Sequence, residues 1–349
     1  MKRRRLPARG AGSNPANRYH QCHVERADES PAAWDTGPTT TEIDRARKAI
    51  TYNDSPDIRF DRSINPYRGC EHGCIYCYAR PTHAWLDLSP GIDFEQRLFR
   101  RPDLPALLRD ELAQPGYSPA PIAVGSITDA YQPIERRYGI TREVLQVLVE
   151  TRHPVQLITK SALVERDIDL LTTLAGDQLV EVAVSLTTLD PALARRMEPR
   201  ASSPRRRLDT IGALAAAGIP VRVLLAPLIP VLTEPEIEQL LAAAAEHGAV
   251  SASYVLLRLP AEVSPLFREW LQHHYPDSLS HVMAHQQAMR AGRDNDSAFH
   301  SRMRGTGAYA DIIRQRFELS RRRHQLQDET PLRCDLFRPP PAPGQLPLF

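Results

Sequence analysis

Three cysteines lie close together in the segment Cys70-Glu71-His72-Gly73-Cys74-Ile75-Tyr76-Cys77, with C-x3-C-x2-C spacing. Thiolates are the usual ligands of iron–sulfur clusters, and a [4Fe–4S] cluster normally takes four of them. Three cysteines would therefore leave one iron without a protein ligand, which suits a site where a small molecule binds the metal. Gly69 and Gly73 would allow the loop to wrap closely around the cluster. The spacing indicates a [4Fe–4S] site at Cys70, Cys74 and Cys77.

A zinc site is one alternative, with the three cysteines and either His72 or His83 as ligands. Zinc motifs usually contain two cysteine pairs separated by about a dozen residues or more, and this sequence has no second pair. The other alternative is a set of unconnected core cysteines, although a loop rich in glycine, histidine and tyrosine is not typical of a core. Cys22 and Cys334 are too isolated in the sequence to be assigned a role.

The composition is that of a globular protein, since 42% of the 349 residues are hydrophobic and 25% are charged. The formal net charge of +2 does not indicate a strongly charged partner. No apolar run is long enough to cross a membrane, and the basic segment 2–5 is not followed by the apolar region of a signal peptide. Five cysteines, three of them clustered, are unsuited to a disulfide framework. We therefore expect a cytoplasmic protein in a reducing compartment.

Short apolar, β-branched runs alternate with segments of helical periodicity through the middle of the chain. The runs predict strands at residues 63–67, 122–124, 155–159, 179–186, 221–226 and 252–257. Helices are predicted between them at residues 104–112, 142–151, 163–174, 207–217 and 234–246. Gly218 and Thr233 are suitable residues for a helix end and a helix N-cap. Alternation of this kind is typical of βαβ units in a parallel sheet, and about six units are too few to close an eight-stranded barrel.

The two ends of the chain differ from this middle part. Residues 1–50 are polar and irregular, which predicts an extended or partly disordered arm before a domain at 51–260. Residues 261–326 have helical periodicity only, around 266–274, 280–290 and 309–324, and form a predicted helical extension. The tail at 327–349 contains a Pro-rich run that can form neither a helix nor a central strand.

Several further runs of residues carry a family resemblance. They are NDSPD at 53–57, SINPYRGC at 63–70, YARPTH at 78–83, TDAYQPIE at 128–135, ITKS at 158–161, EPR at 198–200, LRLP at 257–260 and RMRG at 302–305. With the cysteine spacing, they resemble the radical S-adenosylmethionine (radical SAM) superfamily, and within it a bacterial subgroup related to spore photoproduct lyase. The resemblance covers roughly residues 50–325 and implies an α/β fold, a partial (β/α)6 barrel with a C-terminal helical extension.

The resemblance also implies a chemistry. A reduced [4Fe–4S] cluster would cleave S-adenosylmethionine to methionine and a 5′-deoxyadenosyl radical, which abstracts a substrate hydrogen. The cofactor carries out the difficult chemistry, and the protein holds and orients it. An electron donor such as a flavodoxin or ferredoxin would be required. The substrate class implied is nucleic acid, in repair or modification; the alternatives are a peptide or small metabolite, or a non-enzymatic, metal-stabilised adaptor.

In barrel folds, functional groups lie at the C-terminal ends of the strands. Ser126, Thr128 and Asp129 follow the second strand. The resemblance implies that this region contacts the methionine amino group, as it does in the superfamily. Lys160 ends the third strand, and the resemblance to the lyase family implies that it pairs with the methionine carboxylate, a role that suits an ammonium point charge. Ser185 ends the fourth strand and could bind the methionine or the ribose.

Aromatic and basic residues extend this predicted site. Tyr78 follows the third cysteine, where the superfamily often places an aromatic residue against the adenine, and Tyr76 is the alternative. Arg200 and Arg207 lie beyond the fourth strand.

The chain departs from the lyase family at one position. That family uses an additional cysteine near the second strand as a hydrogen donor, and this chain has no cysteine between 78 and 333. We therefore do not expect thymine-dimer repair by the same mechanism. Tyr131 is a candidate for an alternative hydrogen donor.

The chain ends in Gln345-Leu346-Pro347-Leu348-Phe349, which resembles the peptide by which bacterial repair proteins bind the sliding clamp. Leu348 and Phe349 would fill an apolar pocket while Gln345 fixes the orientation, and Leu346 belongs to the same contact. The alternative is an apolar end that folds onto the protein's own surface. Short arginine clusters at 195–196, 205–207 and 321–323 could contact phosphate, or could be solvated helix faces. A nucleic acid and the clamp are the predicted partners, with no membrane.

Overall fold

A computed structural model describes residues 9–19, 38–328 and 330–340 of the chain. Cys22 and the segment from Gln345 to Phe349 lie outside these described residues, so the sliding-clamp contact stays a prediction.

The core of the fold is a seven-stranded sheet in the order β10-β9-β8-β7-β6-β3-β2. A second, three-stranded sheet has the order β1-β5-β4. The strands are β1 Thr40–Ile43, β2 Thr51–Tyr52, β3 Arg62–Ile64, β4 Tyr67–Arg68, β5 Arg97–Arg100, β6 Ile122–Val124, β7 Val155–Thr159, β8 Val180–Ser185, β9 Val221–Leu228 and β10 Ser251–Leu256.

Helices connect and cover these strands. The α-helices are α1 Asp93–Gln96, α2 Leu104–Leu112, α3 Glu135–Tyr138, α4 Ile140–Glu150, α5 Ile168–Gly176, α6 Pro191–Met197, α7 Pro204–Ala216, α8 Ile237–Glu246, α9 Val263–His274, α10 Pro276–Ala288 and α11 Ala308–Arg323. Short 3-10 helices form at Arg80–Leu86, Ala162–Asp167 and Glu234–Glu236. Within the described part of the chain, no helix is both long and apolar enough to cross a bilayer.

The large sheet confirms the predicted fold class. Strands β3, β6, β7, β8, β9 and β10 are parallel, and β2 adds one antiparallel strand at the edge. The two edge strands, β2 and β10, do not pair with each other, so the barrel is partial. Strand β8 is buried along its whole length, as expected of a parallel sheet covered by helices.

Side-chain capping accounts for the starts of two helices, α6 and α7. The side chain of Asp190 accepts a hydrogen bond from Ala192 N at the start of α6, and Ser203 accepts one from Arg206 N at the start of α7. Thr233 occupies the predicted N-cap position before Glu234–Glu236, but its hydroxyl makes no capping hydrogen bond and accepts from Ile229 N instead, at 2.8 Å.

The first predicted strand, at residues 63–67, is divided in the structure. Strand β3 ends at Ile64, and β4 begins at Tyr67 and pairs with β5 in the smaller sheet. Pro66 lies between them and has no N–H to donate to a sheet ladder. The change of direction brings the cysteine loop, residues 69–77, to the C-terminal edge of the large sheet.

Candidate functional site

A cavity of about 350 Å³ opens at the C-terminal ends of the parallel strands. All nine residues predicted from the sequence to bind a cofactor or metal line it: Cys70, Cys74, Cys77, Tyr78, Ser126, Thr128, Asp129, Lys160 and Ser185. The structure therefore brings the predicted residues together, while their contacts with a bound ligand stay predictions.

The three cysteines lie on a tight loop at the edge of the cavity. Cys70 and Cys74 are buried and Cys77 is partly buried. The loop turns through hydrogen bonds from Gly73 N to Cys70 O, at 3.3 Å, and from Cys77 N to Cys74 O, at 3.1 Å. Burial raises the pKa of Cys70 well above its ordinary value and that of Cys74 to about 12. A bound metal would favour the thiolate forms that burial disfavours.

The donor set fits an iron–sulfur cluster better than a single zinc ion. Among residues 9–19, 38–328 and 330–340, no three His, Cys, Asp or Glu side chains are grouped so as to hold one metal ion. His83 is buried with its Nε2 atom 2.9 Å from Arg97 O, and His72 Nδ1 lies 3.3 Å from Asp129 Oδ2. Three thiols that line one cavity suit a cluster that has one iron free for a small molecule.

A buried ion pair between Arg80 and Glu95 supports the cysteine loop. The guanidinium of Arg80 donates to Cys74 O at 3.0 Å and pairs with Glu95 at 2.5 Å. Neither side chain is exposed to solvent. Arg80 also donates to the carbonyl oxygens of Pro90 and Gly91, so most of its donors are satisfied by the protein. The pair fixes the carbonyl of Cys74 relative to α1.

An N-terminal segment, residues 9–19, lies against the same loop, and we call it the N-terminal strap. Glu95 accepts hydrogen bonds from Gly10 N at 2.9 Å and from Ala11 N at 2.8 Å. A Cβ atom added to Gly10 would lie 1.7 Å from Gly73 O, so a side chain does not fit there. The strap therefore closes over the back of the cysteine loop only because residue 10 is glycine.

Replacing Gly10 with alanine is expected to displace the N-terminal strap, because the clash is with backbone. Limited proteolysis should then cleave the strap faster than in the unmodified protein. Gly12→Ala is the matched control, since an added Cβ would meet only the flexible Glu269 side chain, at 3.1 Å. Equal cleavage rates for the two variants would contradict the proposed fit of Gly10 against the loop.

Asp129 joins three loops at the edge of the cavity. Its carboxylate accepts from Thr159 Oγ1 at 2.8 Å, from Lys160 N at 2.7 Å and from Tyr131 N at 2.9 Å. Burial alone would raise the pKa of Asp129, but His72 and these hydrogen bonds hold it at about 2. The ionised carboxylate thus positions the Lys160 loop, in addition to any contact with a ligand.

Gln132 belongs to the run at 128–135, and its sequence context did not predict a role for it. Its side chain is buried; Oε1 accepts from Glu71 N at 2.8 Å, and Nε2 donates to Thr128 Oγ1 at 2.9 Å. Thr128 in turn donates to Gly69 O at 2.6 Å. These bonds tie the cysteine loop to the loop after β6. The position of this glutamine within the family-like run at 128–135 was the one sequence feature that could have indicated its role.

Ser126 and Tyr78 are connected to each other at the mouth of the cavity. The hydroxyl of Tyr78 donates to Ser126 O. Ser126 Oγ accepts from Asn65 Nδ2 at 3.1 Å, and Ile127 N donates to Asn65 Oδ1 at 3.0 Å. The Tyr78 ring is thus held in place beside Cys77, with 44% of the residue exposed.

Lys160 lies over a buried polar network. Its Nζ atom is 5.9 Å from the centre of the Tyr76 ring, and the Tyr76 hydroxyl donates to Glu198. Glu198 pairs with Arg207, which donates to Ser185 O at 3.0 Å. Burial acts to lower the pKa of Lys160, but Cys74 and Glu198 raise it above its ordinary value. Lys160 is therefore a cation that lines the cavity, with no ion-pair partner among the described residues.

Other candidates lie elsewhere. Tyr131 is buried, donates to Asp167 at 3.1 Å and does not line the cavity, so its proposed role as hydrogen donor has no support here. Cys334 does not line the cavity either. Arg200 pairs with Glu71 of the cysteine loop at 3.0 Å.

Comparison with known proteins identifies the family of the chain. A family model described as the radical SAM superfamily matches residues 64–244, more than half of the chain. An uncharacterized protein of Mycobacterium tuberculosis is 37% identical over 225 residues, which are 64% of this chain and 66% of that protein. One from Methanocaldococcus jannaschii is 28% identical over 234 residues, or 67% of this chain and 83% of that protein. The match thus spans slightly less than two thirds of the mycobacterial relative.

Solved structures show the same fold. Spore photoproduct lyase complexed with dinucleoside spore photoproduct has a TM-score of 0.58 and 16% identity, covering 81% of this chain and 78% of that one. A mutant of spore photoproduct lyase has a TM-score of 0.57 with the same identity. At this identity the likeness concerns the fold alone.

Proposed function

The chain belongs to the radical SAM superfamily, and from this premise we propose that it generates a 5′-deoxyadenosyl radical to abstract hydrogen from a nucleic-acid or nucleotide substrate. Cys70, Cys74 and Cys77 would hold the [4Fe–4S] cluster that the family implies. The observation that carries the proposal is the convergence of these three thiols and Lys160 on one cavity.

When bound, the reduced cluster supplies the electron that cleaves the carbon–sulfur bond of S-adenosylmethionine. The chain's own residues bind and orient that molecule. The Lys160 ammonium would pair with the methionine carboxylate, and the Tyr78 ring would pack against the adenine. Apolar side chains of Ile158, Ala183 and Leu224 line the cavity and would exclude water from the reacting groups.

The experiment that tests the proposal is anaerobic purification and reconstitution, followed by assays of iron, sulfide and 5′-deoxyadenosine. S-adenosylmethionine and a strong reductant would be added, and the products separated by liquid chromatography with mass detection. The proposal expects about four irons per chain and formation of 5′-deoxyadenosine. A single zinc ion with no 5′-deoxyadenosine would contradict it and favour the adaptor.

Lys160→Met is expected to weaken S-adenosylmethionine binding about tenfold or more, because a charge-assisted contact with the carboxylate is lost. Equilibrium binding to the cluster-loaded protein measures this directly. Lys48→Met is the matched control, since Lys48 is exposed and does not line the cavity. Unchanged affinity in the Lys160 variant would exclude the carboxylate contact.

A nucleic-acid substrate is supported by the fold shared with spore photoproduct lyase, whose solved complex contains a dinucleoside. The described residues place no fourth cysteine at the cavity, so the hydrogen returned to the product would come from another group. Tyr76, Tyr78 and Tyr254 are the tyrosines that line it. A flavodoxin or ferredoxin would supply the electron, and the C-terminal peptide would recruit the sliding clamp.

A further inference from the structure

Two arginines line the cavity at positions that the cofactor chemistry above does not use. Arg258 follows the end of β10, and Arg304 lies in the loop before α11. The two segments are joined by a hydrogen bond from Leu256 N to Met303 O, at 3.0 Å. We call Arg258 and Arg304 the arginine pair.

Each member of the arginine pair is stacked on a tyrosine. The guanidinium carbon of Arg258 lies 5.2 Å from the centre of the Tyr78 ring, and that of Arg304 lies 4.1 Å from the centre of the Tyr254 ring. Stacking of this kind fixes the plane of a guanidinium group while leaving its N–H edges free to donate.

Neither guanidinium has a carboxylate within ion-pair distance among the residues that the structure describes. The one hydrogen bond from the Arg258 side chain goes to the weak acceptor Met303 Sδ, at 3.8 Å. Its Nε atom is buried with no acceptor. Burial lowers the pKa of Arg258, which reflects the cost of holding this cation without a full partner. An anion in the cavity would remove that cost.

The carboxylates that line the cavity are matched by other groups. Asp57 pairs with Arg302 at 2.5 Å, and Glu181 pairs with Arg222 at 2.7 Å. Asp129 is held by the contacts described above, and Arg59 pairs with Asp328. Three cations of the cavity are left without a carboxylate, namely Lys160 and the arginine pair.

We infer that the arginine pair binds a phosphate group of the substrate, which is therefore a phosphate ester and not a neutral nucleoside. The inference rests on the proposed function, because the carboxylate of S-adenosylmethionine would take Lys160 and leave both guanidiniums for the substrate. Arginine presents a planar fork of donors that matches phosphate oxygens. Two such forks suit a doubly charged phosphate monoester or two neighbouring phosphodiesters.

The test measures binding to the cluster-loaded protein, with no reductant present. The probes are thymidine, thymidine 5′-monophosphate and a twelve-nucleotide oligothymidylate, so that a free nucleotide and a strand are distinguished. We expect one of the two phosphate-bearing probes to bind, and thymidine to bind at least about tenfold more weakly. Binding of thymidine as tight as that of both other probes would overturn the inference.

Arg258→Gln and Arg304→Gln should each weaken binding of the phosphate probe about tenfold or more. For the oligonucleotide, each should reduce the slope of log affinity against log salt by about one. Arg258→Lys keeps the charge and should keep the slope while losing affinity, which separates this role from a folding defect. Arg314→Gln, an exposed arginine paired with Asp311 on α11, is the matched control. Equal effects of all four variants would refute the site.

Two outcomes separate this inference from the proposed function. If the arginine variants weaken S-adenosylmethionine binding and leave phosphate binding unchanged, the pair serves the cofactor and the inference is wrong. If the protein forms no 5′-deoxyadenosine but binds the phosphate probe through Arg258 and Arg304, the subsite stands and the proposed radical chemistry fails.

Discussion

Cys74→Ala is expected to reduce 5′-deoxyadenosine formation to background. Two thiols cannot hold three corners of a [4Fe–4S] cluster. Burial raises the pKa of Cys74 and the Lys160 ammonium acts to lower it, so both groups belong to one electrostatic environment. Iron content should fall well below about four per chain, and the visible absorption of the cluster should be lost. Iron and sulfide assays, with the product assay, measure all three effects.

Cys334→Ala is the control for this variant, since Cys334 is partly buried and does not line the cavity. It should keep both iron and activity. A Cys74 variant that retains about four irons and forms product would show that another residue completes the ligand set. Loss of iron in both variants would indicate that reconstitution, and not the ligand set, had been measured.

Arg80→Met is expected to lower the free energy of unfolding of the metal-free protein by about 3–5 kcal/mol, because Glu95 is left buried without its cation. That is a large part of the stability of an ordinary domain. Denaturant titration under reducing conditions measures the change. The double variant Arg80→Met/Glu95→Gln should recover part of the loss, since it removes the uncompensated charge.

Arg109→Met is the matched control for the buried pair. Arg109 pairs with Glu150 at 2.9 Å, but both side chains are about half exposed, so the change should cost no more than about 1 kcal/mol. If the Arg80 variant were no more destabilised than the Arg109 variant, the buried pair would not hold the cysteine loop in the way described.

Much of the fold could be predicted because its signals are local. The strands at 122–124 and 155–159 and the helix at 104–112 have the predicted bounds, since apolar period and helix-end residues lie within each element. The end of the first strand was predicted wrongly. The strand stops before Pro66 because the residues after Pro66 join the smaller sheet. That choice is made by β5, some thirty residues later along the chain.

The residues that meet at the cavity could be predicted from the sequence, whereas their hydrogen-bond and ion-pair partners could not. The cysteine spacing is itself a local pattern, and it led to the superfamily that the comparisons confirm. The partners come from far along the chain, as Glu198 does for Tyr76 of the cysteine loop and Glu95 does for Gly10 of the N-terminal strap. Local periodicity and residue spacing do not predict such long-range hydrogen bonds, because these bonds form only when distant elements pack together. The unmatched charge of Arg258 could likewise be recognised only once its neighbours were known.

The contacts behind the cysteine loop bear on the order of events during maturation. Arg80, Glu95, Gln132 and the N-terminal strap hold the loop entirely through protein–protein contacts. A zinc finger, by contrast, folds only when its metal binds. This chain would instead fold before it receives its cluster, and cluster insertion would not require the polypeptide to refold. Removal of the cluster should then leave the loop held by the same protein–protein contacts.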